Sequence, residues 1–184
     1  VARWEPILDE VMRERSPRLL AYARLLTGDD AEAQDVLQDA LVRAFSRGRA
    51  FDNANLAESY VRRAIPSVFI DRLRKRKAAE RAHERDVALG GRDVLSPDRD
   101  AVMDVRAALA ALPPQERACV VLRFYDDLTV PQISAQLGLA EGTVKRYLSD
   151  ASGRLVGLLG EQIDVSPGTT GVPVVVPAVK GARA

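Results

Sequence analysis

The stretch from Leu128 to Leu148, LTVPQISAQLGLAEGTVKRYL, limits the fold more than any other part of the chain. Its T-V-P-Q opening has the composition of a helix start. Thr129 can cap, Pro131 suits the first turn, and Gln132 stands where a side-chain amide reaches back to the cap. Ile133 and Leu137 lie four apart, the spacing of a buried helix stripe. Gly138 tolerates the positive φ that a sharp turn demands. Beyond it Val144, Leu148, Ala151 and Leu155 recur at helical spacing, leaving Glu141, Thr143, Lys145, Arg146 and Ser149 on the opposite side. Two short helices, a Gly turn and a polar, cationic second helix are what a major-groove reader requires. An ordinary helical hairpin with a solvated face has the same outline, so this segment alone leaves both readings open.

The rest of the chain is also helical in pattern. Ser16-Pro17 predicts a helix start, with Ser as cap and Pro in first position, and that helix runs to Thr27-Gly28. Asp29 or Asp30 caps the next, whose apolar positions are Ala33, Val36, Leu37, Ala40, Leu41, Ala44 and Phe45. Residues 49–58 read as a loop on their Asn and Asp content. A longer helix follows from about Ala57 to His83, with Pro66 expected to kink or break it. Residues 86–100 carry a Gly pair, a Ser-Pro and several Asp, and read as a linker. Helical spacing resumes at Ala101 through Leu112, is broken by Pro113-Pro114, and resumes again in QERACVVLRFY. Residues 161–184, rich in Pro, Gly and Val, show no period and read as a disordered tail.

Composition excludes several functions. A net charge of +1 gives no global pull on nucleic acid, but the charges are segregated. Asp29, Asp30, Glu32, Asp35 and Asp39 form an acidic stretch, whereas Arg72, Arg74, Lys75, Arg76 and Lys77 form a basic one. The single cysteine, Cys119, sits in an apolar run and cannot form an intrachain disulfide. The single histidine, His83, cannot make a zinc site or a histidine-based triad by itself. There is no Gly-rich phosphate loop and no nucleophile-base pair, so neither an enzyme nor a cofactor is expected. No apolar run approaches the ~20 residues that span a bilayer, and VARWEPILDE lacks the apolar core of a signal peptide; a cytoplasmic protein without membrane insertion is expected.

An acidic-apolar helix, a basic helix, a linker and a C-terminal reader, in that order, resemble the extracytoplasmic-function (ECF) group of bacterial RNA polymerase sigma factors. The resemblance covers residues 16–159. LTGDDAEAQDVLQDALVRAF follows the family pattern L-T-G-D-x-x-x-A-E-D-x-x-Q-E-x-F, and the stretch from LAALPPQERACVV to GTVKRYLSDA follows L-P-x-x-x-R … G-T-V-K. The implied fold is all-α: two small helical domains joined by a flexible linker, the C-terminal one containing the helix-turn-helix. Residues 1–85 would be a region 2-like domain, 86–100 the linker, 101–160 a region 4-like domain and 161–184 the tail.

The resemblance also implies roles. Asp35, Gln38 and Asp39 would dock on the coiled coil of the largest subunit of core RNA polymerase, presenting an acidic edge to a basic helix. Arg62, Arg63, Arg72, Arg74, Lys75, Arg76 and Lys77 would hold phosphates at the −10 element of promoter DNA, with Asp52, Asn53 and Asn55 lining a pocket for an extruded base. At the −35 element Glu141, Gly142, Lys145 and Arg146 would face the groove, with Thr143 and Ser149 nearer the phosphates. An anti-sigma factor is a further implied partner. Tyr60, Pro66, Ser67 and Asp150 depart from the family's usual residues. A stand-alone helix-turn-helix regulator that does not dock on polymerase is the alternative, but it leaves the acidic and basic helices without a task.

Overall fold

The structure, a computed structural model, describes residues 4–46, 50–84 and 105–159. Among these residues the secondary structure is helical, with no strand. The first helix, α1 (Glu5–Glu10), runs through a wider π-helical turn at Val11–Arg15 into α2 (Ser16–Thr27). Ser16, the first residue of α2, therefore does not cap a free helix end, as its sequence context suggests. Its backbone is already helical (φ −51°, ψ −41°), and its N–H bonds to Val11 O, five residues back. That shifted register accommodates Pro17, which has no N–H to give. Gly28 ends α2 in the left-handed region, at φ 72°.

Asp29 then caps α3 (Asp30–Phe45), its carboxylate accepting from the Glu32 N–H at 2.7 Å. All seven apolar positions predicted for this helix are buried. The next helix, α4 (Ala54–Glu84), begins three residues before the sequence suggests. The reason is Asn53, whose side-chain carbonyl accepts from the Leu56 N–H at 3.0 Å and so caps a helix where the sequence shows a loop. The helix continues through the buried Pro66 rather than breaking there. Phe51 links α3 to α4 in a row of aromatic rings, 5.2 Å from Phe45 and 5.6 Å from Tyr60 between centroids.

The C-terminal unit comprises α5 (Val105–Ala111), α6 (Pro114–Phe124), α7 (Val130–Leu137) and α8 (Glu141–Leu159). The T-V-P-Q box closes through Gln132, whose Oε1 accepts from the Thr129 N–H at 2.8 Å and hydroxyl at 2.9 Å. Gly138 makes the turn at φ 60°, ψ 44°. Ile133, Leu137, Val144, Leu148, Ala151 and Leu155 are buried, as their spacing requires. The two units do not stand apart: α2 packs on α5 and α6, and α4 packs on α7. Buried apolar side chains from both units form one continuous cluster. The expected linker at 86–100, the helix start at 101–104 and the tail at 161–184 lie outside the described residues.

Two substitutions separate backbone constraint from free space. Gly28→Ala forces a side chain into the left-handed region, and the added methyl meets the Arg117 guanidinium. A loss of about 1–2 kcal/mol is expected from the backbone term alone, read as a lower melting temperature. Gly153 lies inside α8 with open space around it, so Gly153→Ala should raise stability by about 0.5–1 kcal/mol in the same assay. Burial pushes the Cys119 thiol up to about 12, with the Glu116 charge adding to the shift. Native protein at pH 7–8 should accordingly resist iodoacetamide, and reaction should appear only on unfolding, as mass spectrometry would record.

Candidate nucleic-acid interface

The acidic edge of α3 lies against the basic helix of its own unit. Asp35 and Asp39 are exposed, four residues apart, and both are engaged by Arg72 of α4, at 3.0 and 2.6 Å. One turn on, Arg76 reaches Glu32 at 2.8 Å. The hydrogen bond to Asp39 holds the Arg72 guanidinium above its ordinary pKa despite partial burial. Gln38 is exposed on the same helix and borders an apolar groove formed with Trp4, Leu8, Met12, Val42 and Phe45. Met12 and Val42 are 48% and 58% exposed there, a large solvent contact for aliphatic side chains.

The basic residues of α4 thus divide by direction. Arg72 and Arg76 turn back onto α3. Arg62, Arg74 and Lys77 turn to the C-terminal unit. Arg62 pairs with Asp126 at 2.5 Å, its guanidinium lying over the Tyr22 ring at 4.9 Å and the Tyr125 ring at 5.1 Å. Burial opposes its charge, and the hydrogen bond and charge of Asp126 outweigh that, so its pKa is raised. Tyr22 donates its hydroxyl to the same carboxylate. Burial, then Asp126, push the phenol far above its ordinary pKa, so it remains a donor. Arg74 donates to Leu137 O at 2.8 Å and Gly138 O at 3.0 Å, at the turn of the helix-turn-helix. Lys77 donates to the Gln115 side chain at 3.4 Å. The side chains of Arg63 and Lys75 are exposed.

Around the start of α4, Asp52, Asn53 and Asn55 are all exposed. Asn53 is the helix cap, and Asn55 accepts from Arg15 at 3.2 Å. On α8, Glu141, Gly142, Lys145, Arg146 and Ser149 are exposed, while Thr143 is half-buried. Nothing lies within 4 Å of where a Gly142 side chain would begin. A helix with Val144 and Leu148 locked in the core and these five positions outside presents a rigid polar face of the width a major groove admits.

Residues 11–79 match the Sigma-70 region 2 family and residues 103–155 match Sigma-70, region 4. The RNA polymerase sigma-E factor of Streptomyces avermitilis is 36% identical over 149 residues, covering 80% of this chain and 82% of that protein. The ECF RNA polymerase sigma factor SigM of Mycobacterium tuberculosis is 33% identical over 156 residues, covering 83% and 76%. The chain belongs to the ECF RNA polymerase sigma factors. Sigma factors recognise promoters and are not themselves enzymes. The fold is shared with the sigma factor RpoE of Bartonella quintana, solved with the anti-sigma factor NepR, at TM-score 0.52 and 23% identity over 87% of this chain and 96% of that one.

In this sigma factor, Tyr22, Ser67, Tyr125, Asp126 and Gln136 all bind across the seam between units, and sequence reasoning assigned them no such role. Tyr22 sits on the apolar stripe of α2 and reads as core; Asp126 reads as a connector. The available signal was Ile70. It lies among polar residues on α4, outside the stripe of Val61, Ile65 and Val68, yet it is only 1% exposed.

The carboxylates that Arg72 engages on α3 are exposed, so its ion pairs contribute little to stability. Arg72→Gln should cost less than about 1 kcal/mol in urea unfolding at low salt, and the difference should shrink at 1 M salt.

Proposed function

We propose that this sigma factor docks on core RNA polymerase through the α3 edge carrying Asp35, Gln38 and Asp39, and reads a promoter at two places. In this reading the −10 element is held by the start of α4 and its cations, with Asp52, Asn53 and Asn55 near the extruded base. The −35 element is read by Glu141, Gly142, Lys145 and Arg146, with Thr143 and Ser149 toward the phosphates. The observation that carries the reading is the exposed face of α8, built on a buried stripe and following a capped, Gly-turned helix. Regions 2 and 4 in the family order support the division of labour between residues 11–79 and 103–155.

The open groove beside Gln38 supports a protein partner at this edge. Arg72 already neutralises Asp35 and Asp39 in part, so a basic partner helix must share them with it. An anti-sigma factor is a second proposed occupant of the region, given that the Bartonella quintana relative in fold was solved with one. The site of action is the cytoplasm, where the polymerase is. A stand-alone regulator is the weaker reading, because it gives the α3 edge no partner.

Run-off transcription with purified core polymerase tests this directly. Arg146→Ala should lower transcription from a −35-dependent promoter by about 5- to 150-fold, the loss expected for one good base contact, with core binding unchanged. Equal output from intact and scrambled −35 sequences would remove the groove assignment.

A further inference from the structure

Several arginines of this chain have their N–H groups taken up by oxygen: Arg62 by Asp126, Arg72 by Asp35 and Asp39, Arg74 by the Leu137 and Gly138 carbonyls. Arg146, on the outer face of α8, is held differently. Its guanidinium carbon lies 5.3 Å from the centre of the Tyr147 ring, inside the ~6 Å range of a cation–π contact. Successive helix residues do not face each other, so the contact exists because the long Arg146 side chain bends sideways over its neighbour. Asp150 stands one helical turn on, yet among the described residues no ion pair or hydrogen bond engages Arg146. A ring attracts a cation through its quadrupole and leaves the N–H fork of the guanidinium unengaged. The ring is itself fixed. Tyr147 is half-buried, packs against the core, and donates its hydroxyl to the Gln115 side-chain oxygen of α6 at 3.3 Å.

We propose that Tyr147 is a positioning residue for promoter recognition: its anchored ring holds Arg146 in place with its donors unengaged, and so sets the discrimination at the base pair that Arg146 reads. The inference rests on the assignment of Arg146 to the −35 element. A flexible arginine loses rotamer freedom when it docks, and one already held against a fixed ring loses less. The chemistry also names the target. A guanidinium fork matches the O6 and N7 acceptors of guanine, which lie side by side in the major groove. Tyr147 itself touches no base in this arrangement; it acts through Arg146. Its effect is therefore confined to one base pair, whereas a purely structural role in α8 would weaken every promoter alike.

The test is run-off transcription by the full chain with core polymerase, on a −35-dependent promoter and on versions with each −35 base pair replaced in turn. Discrimination at a position is the ratio of output from the intact and the replaced promoter. One preparation transcribes both, so any inactive fraction cancels. Tyr147→Leu should reduce discrimination about two- to fivefold at one base pair, the worth of an exposed cation–π contact. That base pair should be the one at which Arg146→Ala loses discrimination, and Tyr147→Leu should add nothing there once Arg146 is replaced by alanine. Tyr147→Phe, which keeps the ring, should retain most of the discrimination. If leucine prevents folding, Tyr147→Met, unbranched and ringless, takes its place. The proposal is overturned if the ringless variant lowers every ratio alike or none, if it still lowers the ratio in the Arg146→Ala background, or if Tyr147→Phe loses as much as the ringless variant. Unchanged ratios for Arg146→Ala at every position would instead remove the groove reading on which the proposal stands.

Discussion

Helix α4 is buried around more of its circumference than a surface helix needs, and the arrangement of both units follows from that. Val61, Ile65 and Val68 form the stripe that packs against α2 and α3, with Phe69 beside it. Ile70 lies on another side, with Ser67 and Arg74, which bond to α7, and it is buried there. Full burial of one aliphatic side chain is worth about 1.5–3 kcal/mol, one contribution to a seam that α2 also forms with α5 and α6. The polar residues on either side of Ile70 fix how α7 lies against it. The second stripe of α4 adds to the packing of α2 on α5 and α6, and the units meet along both helices.

Charge works in both directions at that meeting. Each carboxylate that steadies a cation of α4 also occupies it. Arg72 and Arg76 steady the acidic helix of their own unit, and Arg62 steadies Asp126 of the other. Arg117, from α6, is 95% buried by the same packing, with Nε and one terminal nitrogen unpartnered and burial pulling its pKa down. A half-satisfied guanidinium inside the protein opposes the burial that encloses it. Favourable pairs and an unfavourable buried cation therefore act in the same assembly, so its stability is a modest difference of opposed terms.

Much of this was legible in the sequence for a physical reason: local chemistry dictates local structure. The α3 stripe, the Gly138 turn and the capping box of α7 follow from residues within a turn or two of each other. The start of α4 was missed because an Asn signals a loop and a helix cap equally well, and the Leu56 N–H decides between them. The seam was missed because Ser67 and Arg74 look like a wet face. Sequence polarity does not tell a side chain bonded to water from one bonded to a distant carbonyl. The pairing of Arg72 and Arg76 with α3 is intermediate: the matched four-residue spacing of Asp35 and Asp39 is visible, but the packing that brings the helices together is not.

Ser67 and Arg74 grasp the main chain of α7, at the carbonyls of Gln136, Leu137 and Gly138, rather than its side chains. Peptide oxygens survive amino-acid replacement. The outer residues of α8 are therefore free to drift toward a new target sequence without disturbing these contacts, and specificity and closure can evolve on separate clocks.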